Sequence, residues 1–310
     1  MKKSSFLIVK QIGMAALLTG LQMVLPGHVK AQDTLALYNG KIPNSKQGKL
    51  APLPGKLSSG MVYRVVRPSL EIYLPEAGTA NGTAVLVCPG GSYKVLTYNG
   101  EGVSTAKAFA KRGITAFVLK YRLPDDSMMV DKTIGPLQDA QQAMKLIREN
   151  AAKWNLNISK IGVAGFSAGG HLASTLATHY SQPVIENANK TSLRPDFVIL
   201  VYPVISMKDS LTHADSRRNL LGNKPSKQLI DLYSNELQVT ADTPPTYLTH
   251  AGDDRLVDVD NSIAYYEKLR HLRVPAEMHL FPKGGHGFIF GMPSWTVPLF
   301  DWMKREKWID

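Results

Sequence analysis

The sequence predicts an α/β fold with a mostly parallel central sheet and helices on both faces. Short apolar runs alternate with stretches in which apolar residues recur every three or four positions, as in strands joined by crossover helices. The runs are apolar throughout, which is expected of strands buried on both faces. A chain of 310 residues, 44% of them hydrophobic, can bury one large core without a second domain.

Each element can be placed in order along the chain. The predicted buried strands are Thr83–Cys88, Ile114–Leu119, Lys160–Ala164, Asp196–Tyr202, Thr246–His250 and Glu277–Phe281. The predicted helices are Val103–Arg112, Thr133–Asn150, Ser167–His179, Asn261–Leu272 and Trp295–Lys304. Met61–Tyr73 is strand-forming, with Pro68 indicating an edge or hairpin position. Residues 206–243 carry no strand pattern and suggest short helices at 219–222 and 227–233, so we expect a cap-like insertion there.

The N-terminal residues 1–31 have the pattern of a secretory signal. Lysines precede an apolar run from Gly13 to Leu25, and small residues follow up to Ala31. A retained membrane anchor is the alternative, but the run is short for a bilayer span. We therefore expect cleavage after Ala31, a secreted or periplasmic protein, and no membrane association afterwards. Residues 32–60 are expected to form an extended lead-in to a domain at 61–310.

Charge and cysteine content exclude several classes of function. The net charge is +11, and the leader carries four lysines and no acids, so its removal leaves +7. The remaining basic residues are scattered among acids, which argues against nucleic acid as a partner. The single cysteine, Cys88, allows no intramolecular disulfide, and its apolar strand favours a buried hydrophobe over a nucleophile. The His and Asp residues lack the spacing of metal ligands, so neither a metal nor another cofactor is expected.

Gly165–Gly169 has the pattern G-x-S-x-G, which marks Ser167 as a candidate nucleophile. The motif follows a predicted strand and opens a predicted helix. Small residues beside the serine are needed on such a tight turn, and the helix N-terminus favours negative charge. A glycine-rich structural turn is the alternative.

Two further positions could complete the chemistry. His286 follows the last strand in a glycine-rich loop and is the candidate base, and His250, at the end of a strand, is the other candidate. Asp253 and Asp254 follow the strand that ends at His250, and either could orient the base.

A tetrahedral intermediate also needs N–H donors. Ala168 follows the nucleophile and can supply one. Gly90 and Gly91, in the loop after the strand Thr83–Cys88, can supply the other. The resulting chain order is oxyanion loop, Ser, Asp, His, which agrees with the α/β-hydrolase order and differs from those of the trypsin-like and subtilisin-like enzymes.

From Val62 to Ile309 the chain resembles the esterase/lipase branch of the α/β-hydrolases. Within that branch it is most similar to the secreted bacterial enzymes grouped with bifunctional feruloyl and acetyl xylan esterases. The motifs that carry the resemblance are Cys88–Tyr93, Pro136–Asp139, Gly165–His171, Asp253–Asp254 and Gly284–Gly287. The chain departs from the family pattern at Cys88, where His is usual, at Ser92, where a third Gly is usual, and at Asp258, where Pro is usual.

The resemblance implies a catalytic triad and a substrate class. It assigns Asp254 rather than Asp253 to the triad, because the family aspartate lies three residues before a Val, here Val257. It implies hydrolysis of an ester on an acylated carbohydrate, with acetyl groups on xylan-like polymers first. Candidate substrate contacts are Ser92, Tyr93, Lys94 and Trp295. The alternatives are a peptidase of the prolyl-oligopeptidase type, a general short-chain carboxylesterase, a lipase and a non-enzymatic binding protein.

Overall fold

The computed structural model describes residues 33–46 and 58–310. The strands are β1 Asp33–Ala36, β2 Ser69–Tyr73, β3 Ala84–Cys88, β4 Thr115–Lys120, β5 Ile161–Phe166, β6 Val198–Val201, β7 Thr246–Ala251 and β8 Ala276–Phe281. The α-helices are α1 Ser104–Ala110, α2 Gly135–Glu149, α3 Ser167–His179, α4 Ala214–Leu221, α5 Lys227–Leu232, α6 Asp260–His271 and α7 Thr296–Arg305. The predicted signal at residues 1–31 and part of the predicted lead-in lie outside the described residues.

All eight strands form one sheet in the order β1-β2-β4-β3-β5-β6-β7-β8. β2 pairs antiparallel with β1 and β4, and every other neighbouring pair is parallel. Every residue of β3, β5, β6 and β7 is buried. Because successive side chains point to opposite faces, both faces of these strands are covered. The predicted mostly parallel α/β architecture is therefore confirmed.

The antiparallel end of the sheet differs in detail from the expectation. β1 lies within the predicted lead-in and adds an edge strand that its composition does not indicate. The predicted strand-forming stretch Met61–Tyr73 forms a strand only from Ser69. Pro68 has no N–H for a ladder, and its carbonyl accepts from Leu37 N at 3.0 Å just before β2 begins. Pro68 thus marks the start of an inner strand, and not an edge.

A buried ion pair ties the N-terminal segment to this end of the sheet. Arg122 and Asp139 are 1% and 0% exposed, and Arg122 Nη2 donates to Asp139 Oδ1 at 2.8 Å. Arg122 Nη1 also donates to the carbonyl of Pro43 at 2.8 Å, and Tyr38 Oη donates to Asp139 Oδ1 at 3.1 Å. Removing either charge would leave the other buried without a group of opposite charge beside it.

The insertion at 206–243 contains α4 and α5 and contacts the loops above the sheet. Asn219 Nδ2 donates to the carbonyl of Ser92 at 2.8 Å, and Tyr233 Oη donates to the carbonyl of Thr133 at 2.9 Å. The predicted short helices are present, although α4 begins five residues before the predicted 219. Within the described ranges no helix is long and apolar enough to cross a membrane.

Candidate active site

Ser167 occupies a strained turn between β5 and α3. Its φ is +51°, in the left-handed region that non-glycine residues rarely adopt. A Cβ on Gly165 would lie 2.2 Å from the carbonyl oxygen of Gly169, and a Cβ on Gly169 would lie 2.1 Å from that of Cys88. The small residues predicted around the serine are therefore required by direct contact with backbone, and they let α3 begin immediately at the strand end.

The structure brings Ser167, His286 and Asp254 into one hydrogen-bonded chain. Ser167 Oγ lies 2.9 Å from His286 Nε2, and His286 Nδ1 lies 2.7 Å from Asp254 Oδ2. Since a carboxylate oxygen can only accept, Nδ1 carries the proton and Nε2 faces the hydroxyl as an acceptor. This is the arrangement in which an imidazole can take a proton from a serine.

Asp254 is held by donors on both oxygens. Oδ1 accepts from the N–H groups of Leu256 at 2.9 Å and Val257 at 3.0 Å. Burial opposes ionisation, but the hydrogen bonds from His250, His286 and Val257 lower the pKa of Asp254 well below its usual value. The carboxylate is therefore charged when the neighbouring imidazole must be stabilised as a cation.

Asp253 has a different partner from Asp254. Its Oδ1 accepts from Gly285 N at 2.8 Å and so supports the loop that carries His286. The geometry thus places Asp254 against the imidazole and Asp253 against the backbone beside it.

His250, the other candidate base, lies on the far side of the same carboxylate. It is fully buried, and its Nε2 lies 3.1 Å from Asp254 Oδ2 and 3.0 Å from the carbonyl of Val257. Its Nδ1 lies 2.8 Å from Ser262 Oγ. With both ring nitrogens engaged away from Ser167, His250 positions the carboxylate and does not reach the hydroxyl.

The N–H groups of Ala168 and Gly91 are available to stabilise an oxyanion. Ala168 lies in the first turn of α3, where N–H groups have no intrahelical acceptor. Gly91 has φ +124°, and its N–H has no acceptor among the described residues. Gly90 does not fit the predicted role, because its N–H already donates to Glu101 Oε2 at 2.6 Å.

Glu101 and Tyr202 are site residues that the sequence did not reveal. Glu101 is 4% exposed and also accepts from Tyr202 Oη at 3.0 Å. The Tyr202 ring centroid lies 4.7 Å from that of His286. Glu101 lies in a π-helical turn, Tyr98–Val103, and Tyr202 directly follows β6. No sequence motif marks either position, because their meeting depends on the order of strands in the sheet.

Two predicted substrate contacts, Tyr93 and Trp295, are largely buried. Tyr93 is 2% exposed, and its hydroxyl donates to His171 Nδ1 at 2.8 Å. Trp295 is 6% exposed and packs edge-to-face on Phe166 with 6.1 Å between ring centroids. Trp295 presents no exposed ring face to a sugar, which corrects the expectation for that residue. Tyr93 borders a cavity beside the oxyanion loop and stays a prediction. Ser92 is partly exposed in the same loop and stays a prediction.

Cys88 is fully buried at the end of β3. Burial raises the pKa of its thiol far above the usual value, so the sulfur stays neutral. The thiol therefore packs as a small hydrophobe, as its sequence context indicates.

A cavity of about 200 Å³ lies beside the oxyanion loop. It is bounded by the stretch after that loop, by the insertion and by the segments that precede β2 and follow β4. Its lining includes Tyr63, Arg64, Tyr93, Lys94, Asp125 and Asn219. No cluster of three or more His, Cys, Asp or Glu residues in 33–46 and 58–310 could hold a metal ion.

The BD-FAE family model matches residues 70–269 of this chain. The chain belongs to the BD-FAE family. Residues 70–269 include Ser167 and Asp254, and His286 lies beyond them. The resemblance to esterase/lipase α/β-hydrolases predicted from the motifs is confirmed.

Two curated relatives of this BD-FAE protein are an esterase and a xylanase by name. It is 39% identical to an acetylxylan esterase of Xylanibacter ruminicola over 73% of this chain and 44% of the relative. It is 40% identical to endo-1,4-β-xylanase B of Butyrivibrio fibrisolvens over 71% of this chain and 34% of the relative. The chain thus spans less than half the length of these two curated relatives.

A solved structure matches over the full length of its own chain. The acetyl ester-xyloside bifunctional hydrolase of Caldicellulosiruptor lactoaceticus superposes with a TM-score of 0.76 at 31% identity. The match covers 92% of this chain and 100% of that one.

Proposed function

We propose that this protein is a serine carboxylic ester hydrolase that acts through an acyl-enzyme. One observation carries the proposal: Ser167 Oγ, His286 and Asp254 form a continuous hydrogen-bonded chain at the carboxyl ends of β5, β7 and β8. Ligands of open α/β sheets bind at this edge.

Acylation begins with proton transfer from Ser167 Oγ to His286 Nε2 over 2.9 Å. The oxygen attacks the ester carbonyl, and the N–H groups of Ala168 and Gly91 stabilise the resulting oxyanion. Asp254, 2.7 Å from Nδ1, stabilises the imidazolium.

His286 then gives its proton to the leaving alcohol, and the acyl group remains on Ser167. Water enters the site vacated by the alcohol and loses its proton to His286 Nε2 as it attacks the acyl carbonyl. Collapse of the second tetrahedral intermediate returns the proton to Ser167 and releases the carboxylic acid.

The proposed substrate is an acetylated xylan or xylo-oligosaccharide. The names of the relatives, an acetylxylan esterase, a xylanase and an acetyl ester-xyloside hydrolase, support this class. The cavity beside the oxyanion loop adds physical support, because the side chains of Arg64, Asp125 and Asn219 offer hydrogen bonds of the kind that sugar hydroxyls accept and donate.

The test is acetate release from acetylated xylan by the full chain and by Ser167→Ala. The variant should lose at least about 10³-fold in kcat. Ser159→Ala, which removes an exposed hydroxyl in the turn before β5, is the matched control and should retain full activity. Equal activity of the two variants would refute Ser167 as the nucleophile.

A substrate panel tests the class independently of the nucleophile. Acetylated xylan should be preferred to a methyl ferulate, a long-chain 4-nitrophenyl ester and a proline-containing peptide amide. Rapid hydrolysis of 4-nitrophenyl acetate without acetate release from xylan would support the proposed esterase activity and reject the proposed polysaccharide substrate. Preference for the peptide amide would favour the prolyl-oligopeptidase alternative.

We further propose that the protein is exported after removal of residues 1–31, on the N-terminal sequence pattern alone. Cell fractionation and N-terminal sequencing test this, with Gln32 as the expected first residue. Recovery of the protein in the cytoplasm with Met1 intact would refute it.

A further inference from the structure

Glu101 is a buried carboxylate that joins two loops of the active site. One oxygen accepts from Gly90 N at 2.6 Å in the loop after β3, and the other accepts from Tyr202 Oη at 3.0 Å after β6. The side chain is 4% exposed, so these contacts replace water. Burying a carboxylate is costly, and the hydrogen bonds from the oxyanion loop and from Tyr202 offset part of that cost.

The bond to Gly90 decides which N–H of the oxyanion loop is available. Gly90 is held at both ends, since its carbonyl also accepts from Thr97 N at 2.9 Å. With Gly90 fixed, the next peptide presents the N–H of Gly91. A Cβ on Gly90 would lie 2.8 Å from Ser167 Cβ and 2.9 Å from Glu101 Oε2. Only the backbone of Gly90 therefore separates the carboxylate from the nucleophile.

The hydrogen bond from Tyr202 to Glu101 influences the position of the base, His286. Tyr202 has φ +37°, and its ring lies against the imidazole of His286 at 4.7 Å. Its pKa is raised well above the usual value, chiefly by burial, so the hydroxyl remains a donor to Glu101. Glu101 therefore fixes the ring that limits the rotation of His286.

We propose that Glu101 is a positioning residue, which holds the oxyanion donor at Gly91 and the imidazole of His286 in register through Gly90 and Tyr202. The inference rests on the proposed ester hydrolysis. If Glu101 had only a structural role, its replacement would change stability alone. The positioning role instead predicts a lower kcat with little change in KM, because the oxyanion exists only after attack.

The test compares Glu101→Gln, Glu101→Ala and Tyr202→Phe in the full chain. The glutamine variant keeps an acceptor for Gly90 and a polar partner for Tyr202, so it should retain kcat within about fivefold. The alanine variant should lose about 10²-fold in kcat, as expected when an oxyanion donor is misplaced, with KM within about threefold. Tyr202→Phe should fall between them.

The affinity for a boronate that forms a tetrahedral adduct reports on the oxyanion site and does not depend on folding stability. It should fall in step with kcat across the three variants. The matched control is Glu236→Ala, which removes another buried carboxylate, 8% exposed and bonded to Ser206 Oγ at 3.0 Å in the insertion. It should lower the unfolding temperature and leave kcat unchanged.

The outcomes separate this inference from the proposed function. Loss of stability in Glu101→Ala with unchanged kcat per folded molecule would overturn the positioning role, as would a glutamine variant as impaired as the alanine variant. If Glu101→Ala does not fold, Glu101→Asp, too short to span both partners, replaces it with the same expected loss of kcat. An active Ser167→Ala would instead overturn the hydrolase itself.

Discussion

Replacing Asp254 with Asn should abolish most activity by reversing the tautomer of His286. Oδ1 of Asp254 accepts from two backbone N–H groups at 2.9 and 3.0 Å, so the amide oxygen of the variant must take that position. The amide N–H₂ then faces His286 Nδ1, which becomes an acceptor. The proton moves to Nε2, where it points at Ser167 Oγ and prevents proton abstraction.

The expected loss in kcat is about 10³- to 10⁴-fold. This corresponds to roughly 4 to 5.5 kcal/mol in the activation free energy. The same amide would also face Nε2 of His250, which must keep its proton for the carbonyl of Val257. Some loss of stability should therefore accompany the loss of activity, and the assay must be normalised to folded protein by circular dichroism.

Asp253→Asn is the matched control for this experiment. The side chain of Asp253 accepts a hydrogen bond from Gly285 N, and the amide oxygen of an asparagine can accept the same bond. Hydrolysis of 4-nitrophenyl acetate should stay within about threefold of the unchanged protein. Equal losses in the two variants, or a larger loss at 253, would refute the assignment of the orienting carboxylate.

Two further predictions concern packing and acid stability. Gly169→Ala should abolish activity or folding, because its Cβ would lie 2.1 Å from the carbonyl oxygen of Cys88; a soluble variant with unchanged kcat would contradict this. Burial lowers the pKa of His171 to about 4, so its contribution to stability is present above pH 6.5 and is lost as pH falls through 4. Burial raises the pKa of Glu101 to about 7, so its contribution is present below pH 4.5 and is lost as pH rises through 7. On acidification the two effects oppose each other, and Glu101→Gln lacks the stabilising one. Between pH 7 and pH 4 its free energy of unfolding, measured in urea, should therefore fall by about 2 to 3 kcal/mol more than that of the unchanged protein. Equal losses would contradict this assignment.

The sequence was sufficient to predict the parallel part of the sheet and two residues of the hydrogen-bonded chain, Ser167 and His286. Buried parallel strands are continuous apolar runs, and Ser167 and His286 lie in glycine-rich loops at strand ends, so local pattern and spacing were enough. Asp253 and Asp254 could not be separated by composition. Family register favours Asp254, and the structure places it 2.7 Å from the imidazole.

The surroundings of the site were harder to predict because they depend on contacts between distant segments. Tyr93 follows the oxyanion loop, but its ring turns inward because its hydroxyl donates a hydrogen bond to His171 on α3. Glu101 is separated from Tyr202 by 101 positions, and only the adjacent placement of β3, β5 and β6 brings them together. Sequence spacing does not encode such a meeting.

The double use of Asp254 gives the site an uneven tolerance to change. His250 keeps a bond to the carboxylate when His286 is replaced, so losing the base leaves no buried charge without a partner. Losing the carboxylate instead disturbs two imidazoles and two peptide groups. A substitution that removes the base at 286 should therefore stop turnover and leave the fold intact, whereas a substitution that removes the carboxylate at 254 should disturb both activity and stability.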